Sequence, residues 1–230
     1  MNVLVTGGTG YIGSHTVVEL LNYGYEVIVI DNFSNSKPNV IERIKKITNK
    51  EFKFYELDLC NKEDLTKVFD ENKIDAVIHF AGYKAVGESV EKPLMYYHNN
   101  LLSTINLLDI MIRFSVKKFV FSSSATVYGD PEELPIPETA KLHTTNPYGA
   151  TKLFIENILS DVYKADNDFS IAILRYFNPV GAHESGMIGE DPNGIPNNLV
   201  PYIVKVANKE LPHLNIFGNE SEGKYSPKTL

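Results

Sequence analysis

The segment that most constrains this chain is Thr6-Gly7-Gly8-Thr9-Gly10-Tyr11-Ile12-Gly13, which follows a β-branched run at once and opens a stretch with helical spacing. Glycines so closely spaced permit a tight turn, and they let another group approach the backbone at a helix N-terminus, where unpaired N–H groups favour an anion such as a pyrophosphate. Two registers fit the letters: Gly8, Gly10 and Gly13 read as GxGxxG, and Gly7, Gly10 and Gly13 read as GxxGxxG. The glycines alone are a weak signal, because turns use them for purely conformational reasons. Their place between a first strand and a first helix is what points to a dinucleotide.

The rest of the chain supplies the frame that such a turn needs. Short apolar runs at residues 2–6, 26–30, 52–55 and 75–80 do not alternate, as expected of parallel strands buried on both faces. Helical stretches at 11–23, 40–47 and 62–72 separate them, and the pattern continues with strands at 118–122 and 170–176 and helices at 94–114 and 148–164. Strands alternating with helices predict an α/β fold with a doubly wound parallel sheet of six strands, Rossmann-type, which binds ligands where its strand order reverses. After Phe177 the texture changes, with Pro179, Gly181, Gly186, Gly189, Pro192, Gly194 and Pro196 in quick succession. The expected division is a cofactor-binding domain over 1–177 and a partial C-terminal substrate domain over 178–230. The latter carries a helix at 199–208, a short strand at 214–217 and disordered last residues.

Composition removes several function classes. At 230 residues, roughly one and a half domains' worth of chain, a core can form without staples, and 43% hydrophobic with 22% charged residues is ordinary for a soluble domain. Lys plus Arg number 22 against 29 Asp plus Glu, a net charge of −7, which argues against nucleic acid as a partner because phosphate neutralisation needs a basic surface. The single cysteine, Cys60, cannot bridge within the chain, and without CxxC or HExxH spacing no metal site is expected. The start MNVLVTGG is not a signal peptide, and no stretch reaches the ~20 apolar residues of a membrane span. The expectation is a cytoplasmic protein with no membrane partner.

Several residues carry chemistry in this frame. Asp31 ends the second strand eighteen residues beyond Gly13, near the ~20 expected of a carboxylate that accepts both ribose hydroxyls of NAD and repels a 2′-phosphate. The plainer alternative is that it merely starts the following turn with Asn32. Asp58, after the third strand, either accepts from an adenine amino group or caps the helix near Lys62. Tyr148 and Lys152 stand four apart and share one helix face. A phenol of pKa about 10 needs about 4 kcal/mol to ionise near pH 7, and an ammonium at ~5 Å supplies roughly 3 of it at an effective dielectric of 20. The positive nicotinamide of an oxidised cofactor can supply the remainder. On its own, Tyr-x-x-x-Lys is common on surface helices; behind a nucleotide loop it becomes a plausible catalytic pair. Ser122, Ser123 and Ser124 end the fifth strand at the edge where sheet ligands gather, either as turn-formers or, for Ser124, as a hydrogen-bond partner of a reacting hydroxyl. His79 reads as a satisfied core residue and His15 as a residue packing on the first helix. On the 94–114 helix, Leu94, Tyr97, Leu101, Leu108 and Ile112 form an apolar stripe widened by Leu102, Ile105 and Met111, either a buried face or one that also meets a partner subunit.

Taken together, VTGGTGYIGSHT, DNFSNS, VIHFAGYKAVGESV, FSSSATVYGD, PYGATK and RYFNPVGAH followed by GEDPNGIPNNL resemble the extended short-chain dehydrogenases/reductases, and among these the sugar-nucleotide 4-epimerases. The resemblance runs from Met1 to about Asn219. It implies NAD as cofactor, a UDP-hexose as substrate and a homodimer. It also implies a reaction in which UDP-glucose and UDP-galactose interconvert by transient oxidation at C4 of the hexose, with Tyr148 taking the 4-hydroxyl proton.

By motif, the cofactor site would comprise Gly7, Gly10, Tyr11, Ile12 and Gly13; Asp31, Asn32, Phe33, Asn35 and Ser36; and Asp58 and Leu59. Phe80, Ala81, Gly82, Lys84, Asn99, Ser122 and Phe177 would complete it, with Tyr148 and Lys152 at the nicotinamide ribose. The catalytic set would be Ser124, Tyr148 and Lys152, and substrate contacts would come from Ser124, Tyr148, Asn178, Asn198, Leu199 and Phe217.

Three features qualify the resemblance. Related 4,6-dehydratases place an Asp-Glu pair where this chain has Ala125-Thr126, which disfavours dehydration. Ser103 stands where relatives usually place glycine, and would crowd a close contact. After Gly218-Asn219 the family pattern would run on through a GTGVRDYIHV-like segment and a further third of a chain bearing the diphosphate-gripping arginines, whereas ESEGKYSPKTL follows here. The resemblance therefore implies a C-terminally shortened chain impaired as an epimerase. The non-enzymatic alternative, a cofactor-binding remnant or sensor, is disfavoured by Ser124, Tyr148 and Lys152 occurring together.

Overall fold

A computed structural model describes residues 1–193 and 198–214. Six strands, β1 (Asn2–Thr6), β2 (Glu26–Asp31), β3 (Lys53–Glu56), β4 (Ala76–His79), β5 (Lys118–Ser124) and β6 (Ser170–Tyr176), form one sheet in the order β3-β2-β1-β4-β5-β6. Every neighbouring pair is parallel. Successive strands step outward from β1 to β3, and the chain then crosses back to lay β4 on the other side of β1. The carboxyl ends of β1 and β4 therefore open a crevice between oppositely directed crossovers.

The helices are α1 (Tyr11–Asn22), α2 (Asn39–Thr48), α3 (Lys62–Glu71), α4 (Val86–Glu91), α5 (Pro93–Arg113), α6 (Pro147–Ala165) and α7 (Leu199–Ala207). Their packing explains why the strands carry no polar alternation. In β1, Val3 and Val5 point into a layer with Val17, Val18 and Leu21 of α1 and Ile44 of α2. Leu4 points the other way, into a layer with Leu65 and Val68 of α3, Leu107 and Met111 of α5 and Leu159 of α6. Val27 and Val29 against Ile28 and Ile30 repeat the division in β2. With both faces covered, each side chain of a central strand must be apolar or internally bonded. His79 is the bonded exception: Nδ1 lies 2.7 Å from Thr6 Oγ1 and Nε2 lies 3.0 Å from Thr104 Oγ1. Burial, with the charge of Lys152 adding to it, pushes its pKa down to about 3, so it is a neutral core residue as its sequence context suggests.

Three expectations need correction. The six residues of α4 and the 3-10 turn at Ala125–Tyr128 are too short to show a hydrophobic period and were not expected as elements. Asp58 does not cap α3; Asn61 does, its side chain accepting from Asp64 N–H, while Asp58 bonds Cys60 N–H at 2.8 Å. The inward face of α5 coincides with the predicted stripe only in part, at the buried Leu108 and Met111. It runs through Tyr96, Asn100, Thr104, Leu107 and Met111, while Leu94, Ile105 and Ile112 face solvent at 80%, 41% and 50% exposure.

The segment after Phe177 first packs back on the α1/α2 layer. Ile188 is buried in the α1/α2 layer, Tyr11 Oη donates to Gly181 O at 2.7 Å, and Arg43 Nη1 donates to Met187 O at 3.0 Å. The expected strand at 214–217 lies outside the described residues except for Leu214, which is not in a strand, and the expected disorder of the last residues also falls outside them. Among the described residues, no helix is long and apolar enough to cross a membrane.

Candidate active site

A single cleft follows the carboxyl ends of the strands from β2 across β1 and β4 to β5. Its floor is the glycine turn. Gly7 has a φ of 67°, a region costly for residues with a Cβ, and a Cβ there would lie 2.7 Å from Ala81 N. At Gly13 a Cβ would lie 2.1 Å from Gly7 O, so the turn and the first helical turn fit only when this position is bare. Gly8 instead faces Val29 and does not line the cleft, which selects the register of Gly7, Gly10 and Gly13. The N-terminus of α1 is capped by Gly10 without a side-chain bond, leaving its N–H groups directed into the cleft for an anion.

At one end stands Asp31. Its Oδ1 accepts from Phe33 N–H at 2.9 Å and Ser36 Oγ at 3.0 Å, and its Oδ2 accepts from Thr9 N–H at 3.1 Å. The carboxylate thus starts the turn and is locked in place, and with three of its about four acceptor sites taken, one on Oδ2 remains open for a hydroxyl. Asn32 donates to Asp58 at 3.3 Å, bringing both residues to the same rim.

At the other end, α6 presents Tyr148 and Lys152 one turn apart. Asn146 caps this helix by accepting from Gly149 N–H at 2.8 Å, and Pro147 fixes its first turn. Lys152 is buried, donates to Ser122 O at 2.8 Å, and holds its ammonium 4.9 Å from the Phe121 ring centre and 5.9 Å from that of Tyr148. Burial pushes its pKa down to about 8. Burial also raises the pKa of Tyr148, and the Ser124 hydroxyl works the other way. The raised direction agrees with the ammonium arithmetic, which also leaves part of the cost of ionising the phenol to a further positive charge. Ser124 is itself oriented: its Oγ accepts from Thr126 N–H at 3.2 Å and from Thr126 Oγ1 at 3.0 Å, which leaves its own proton free to be donated outward.

Gly7, Gly10, Tyr11, Ile12, Gly13, Asp31, Asn32, Asn35, Ser36, Asp58 and Leu59 line the cleft on the β1–β3 side. Phe80, Ala81, Gly82, Lys84, Asn99, Ser122, Ser124, Tyr148, Lys152, Phe177, Asn178 and Asn198 line it on the other. Phe33 and Leu199 do not. The Phe33 ring packs on Phe54 with centroids 5.2 Å apart, and Leu199 is exposed at the start of α7. Phe217 lies outside the described residues.

Sequence reasoning missed Thr126 as the orienter of Ser124, and it missed the wall formed by residues 188–192. In that wall Glu190 pairs with Lys84 at 3.0 Å and Asp191 with Lys37 at 2.6 Å. Such pairs span 106 and 154 positions of chain, and no local spacing announces them. Ser103 does line the cleft, with its hydroxyl turned back to Asn100 O at 3.2 Å.

Comparison with known proteins agrees with this geometry. Residues 3–223 match the NAD dependent epimerase/dehydratase family. A UDP-glucose 4-epimerase of Bacillus subtilis (strain 168) is 62% identical over 220 residues, covering 96% of this chain and 65% of its own length. The Haemophilus influenzae UDP-glucose 4-epimerase is 61% identical over 221 residues with the same coverage. Among solved structures, the UDP-glucose 4-epimerase from Bifidobacterium longum in complex with NAD+ and UDP superposes with a TM-score of 0.90 at 59% identity, covering 92% of this chain and 63% of that one. The Stenotrophomonas maltophila UDP-glucose 4-epimerase with bound NAD and formylated UDP-arabinopyranose gives 0.91 at 49% identity, covering 95% and 65%. The chain thus spans about two thirds of the length of these relatives.

Proposed function

Since the chain belongs to the NAD-dependent epimerase/dehydratase family, we propose that it carries the cofactor and proton-transfer machinery of a UDP-glucose 4-epimerase, interconverting UDP-glucose and UDP-galactose in the cytoplasm. The observation that carries the reading is the alignment, in one cleft, of a bare glycine turn, a locked Asp31 and the trio Ser124, Tyr148 and Lys152. The cradle fits a dinucleotide because the tight turn, which a Cβ at Gly7 or Gly13 would force open against backbone, leaves the N-terminus of α1 bare at the cleft. Bound NAD supplies a hydride acceptor and a positive charge beside Tyr148.

In this reading the open acceptor site of Asp31 faces the adenosine ribose, a second hydroxyl requiring one of its present donors to yield, and the N-terminus of α1 receives the pyrophosphate. Lys152 holds the nicotinamide ribose and keeps a positive charge near the phenol. Tyr148 removes the proton of the hexose 4-hydroxyl, with Ser124 donating to the same oxygen or to the phenolate. The hexose, oxidised at C4, turns over in the site and is reduced on its opposite face, and Tyr148 returns the proton. Asn178 and Asn198 are proposed to hold the nucleotide sugar, with Leu199 and Phe217 completing that contact. The boundary between the cofactor-binding and substrate-binding units is placed after Phe177. A 4,6-dehydratase is the weaker reading, since Thr126 at the position of the eliminating acid offers only a hydroxyl, already bonded to Ser124.

Calorimetric titration checks the cofactor assignment. NAD should bind at least tenfold tighter than NADP, and Asp31→Ala should remove most of that preference; equal affinities in the parent chain would sink the assignment. Chromatographic assay of UDP-galactose conversion checks the reaction.

The quaternary proposal is a homodimer through α5 and α6. Leu94, Ile105 and Ile112 of α5 and Phe154 of α6 are exposed on these neighbouring helices, and Tyr97 and Phe154 are in ring contact at 6.1 Å. Light scattering at micromolar concentration should give twice the monomer mass, and Ile105→Glu should return it to one; a monomeric parent chain would count against this interface.

A further inference from the structure

Next to the proposed proton-transfer site a buried carboxylate, Glu156, is paired with the partly buried Arg175, and the reaction as described has no use for the pair. Glu156 stands one turn beyond Lys152 on α6, so Tyr148, Lys152 and Glu156 follow one ridge of the helix. Arg175 on β6 is in register with Ser123 of β5. It grips Glu156 with two bonds, Nε to Oε1 at 3.0 Å and Nη2 to Oε2 at 2.7 Å, while Nη1 donates to Tyr128 Oη at 2.8 Å. Its guanidinium also lies 4.9 Å from the Tyr128 ring centre. Ser123 Oγ donates to Glu156, and the preceding residue, Ser122, accepts from Lys152. The same two residues of β5 therefore hold both the proposed catalytic lysine and the carboxylate that follows it.

We propose, on the epimerase reading above, that Arg175 and Glu156 are positioning residues: Arg175 occupies the Glu156 carboxylate so that Lys152 keeps no carboxylate partner and its charge remains available to Tyr148 and the cofactor. A buried carboxylate without a counter-charge seeks the nearest cation. Without Arg175 that cation is Lys152, one turn away on the same face. The bidentate, planar fit of guanidinium to carboxylate prevents this exchange, and the Ser123 bond fixes Glu156 in the position where Arg175 meets it.

The other groups around Lys152 offer no competing carboxylate. Tyr148 and the Ser122 carbonyl are neutral partners, Phe121 is apolar, and His79 on β4 is held neutral. From α5 come Asn100 and Thr104, both hydrogen-bonded; its charged Asp109 is paired with Lys62, Arg113 lies at its far end, and His98 is exposed. On α4, Glu88 bonds Lys92 and Tyr96, and Glu91 is exposed.

The test follows Lys152 itself by NMR of [13Cε]lysine in the cofactor-free 230-residue chain, its signal assigned with Lys152→Met. Arg175→Met should raise the Lys152 titration midpoint by about one pH unit, and Glu156→Gln should lower it by a similar amount. The double variant Glu156→Gln/Arg175→Met should return it to within about 0.3 unit of the parent, and Arg175→Lys should leave it there. If Arg175→Met does not fold, the Glu156→Gln arm decides alone. A midpoint that stays within about 0.2 unit in the folded single variants, or that the double variant fails to restore, overturns the proposal. Because no cofactor or sugar is added, failure of the chain to bind NAD would refute the reading above without altering this measurement.

Discussion

Gly13→Ala should weaken NAD binding by at least ~100-fold and lower the melting temperature, since inserting one methyl into close-packed backbone costs about 1–3 kcal/mol even where side chains can yield. Here they cannot. The nearest atoms to the added Cβ are Gly7 O at 2.1 Å, Gly8 Cα at 2.9 Å and Gly7 C at 3.0 Å, all backbone. Relief requires the turn to open, which moves Gly7 and Gly10 away from the N-terminus of α1, where the pyrophosphate is proposed to sit. Gly87→Ala on α4 is the matched control: its Cβ would meet nothing within 4 Å, and its φ is ordinary for an L-residue. That change should leave binding unaltered and add up to about 1 kcal/mol of stability through the lower entropy of the unfolded chain. Calorimetry with NAD and thermal unfolding read both variants. A Gly13→Ala chain that binds within tenfold of the parent would show that the turn is not the pyrophosphate seat.

Tyr148→Phe should slow reduction of bound NAD by UDP-galactose by ~10² or more while leaving cofactor affinity within a few-fold, the effect of losing a positioned base. Comparison within the same chain cancels any difference in absolute rate from longer relatives. The pH dependence follows from the direction of the two shifts. Burial raises the phenol, so Tyr148 ionises only when positive charge is brought to it; burial lowers Lys152 to about 8, so its charge is present below that pH and lost above it. Lys152→Met should therefore move the rising limb of the rate profile to higher pH, because the phenolate has lost its nearest cation. Stopped-flow absorbance of the reduced cofactor across pH 6–10 reads this limb. A profile unmoved by Lys152→Met would take that lysine out of proton transfer.

Much of the frame is legible in the chain because the physics behind it is local. Val3, Leu4 and Val5 form an unalternating run since one residue faces α1 and the next faces α3 and α5, and such a run reads as a strand buried on both sides. Tyr148 and Lys152 are legible because four residues make one helical turn. What is hidden depends on contacts between distant parts of the chain. The inward face of α5 carries Asn100, Thr104 and Asn106, which hydropathy alone would send to solvent. They go inward because each has a specific partner, Asn100 with Tyr83 and Thr151, Thr104 with His79, and Asn106 with the carbonyls of Leu59 and Cys60. The leucine and isoleucines left outside then mislead the pattern. Arg175 and Glu156 sit nineteen residues apart on different elements and have no spacing that a motif could register.

The segment that returns over the cleft after Phe177 has a kinetic consequence. Residues 188–192 form one wall of the cavity, pinned by Ile188 in the α1/α2 layer and by ion pairs to Lys37 and Lys84. If a dinucleotide bound against this wall leaves by displacing it, drawing Ile188 out of its layer costs about 1.5–3 kcal/mol for its buried side chain, and the partly exposed ion pairs add little. Escape is then slowed by roughly one to two orders of magnitude relative to an open groove. For a dehydrogenase that must exchange its reduced cofactor every cycle, such retention would throttle turnover. For the proposed chemistry, which removes a hydride from a sugar and restores it to the same molecule, retention would be harmless and would make the cofactor a resident part of the protein, insulated from the oxidised-to-reduced ratio of its surroundings.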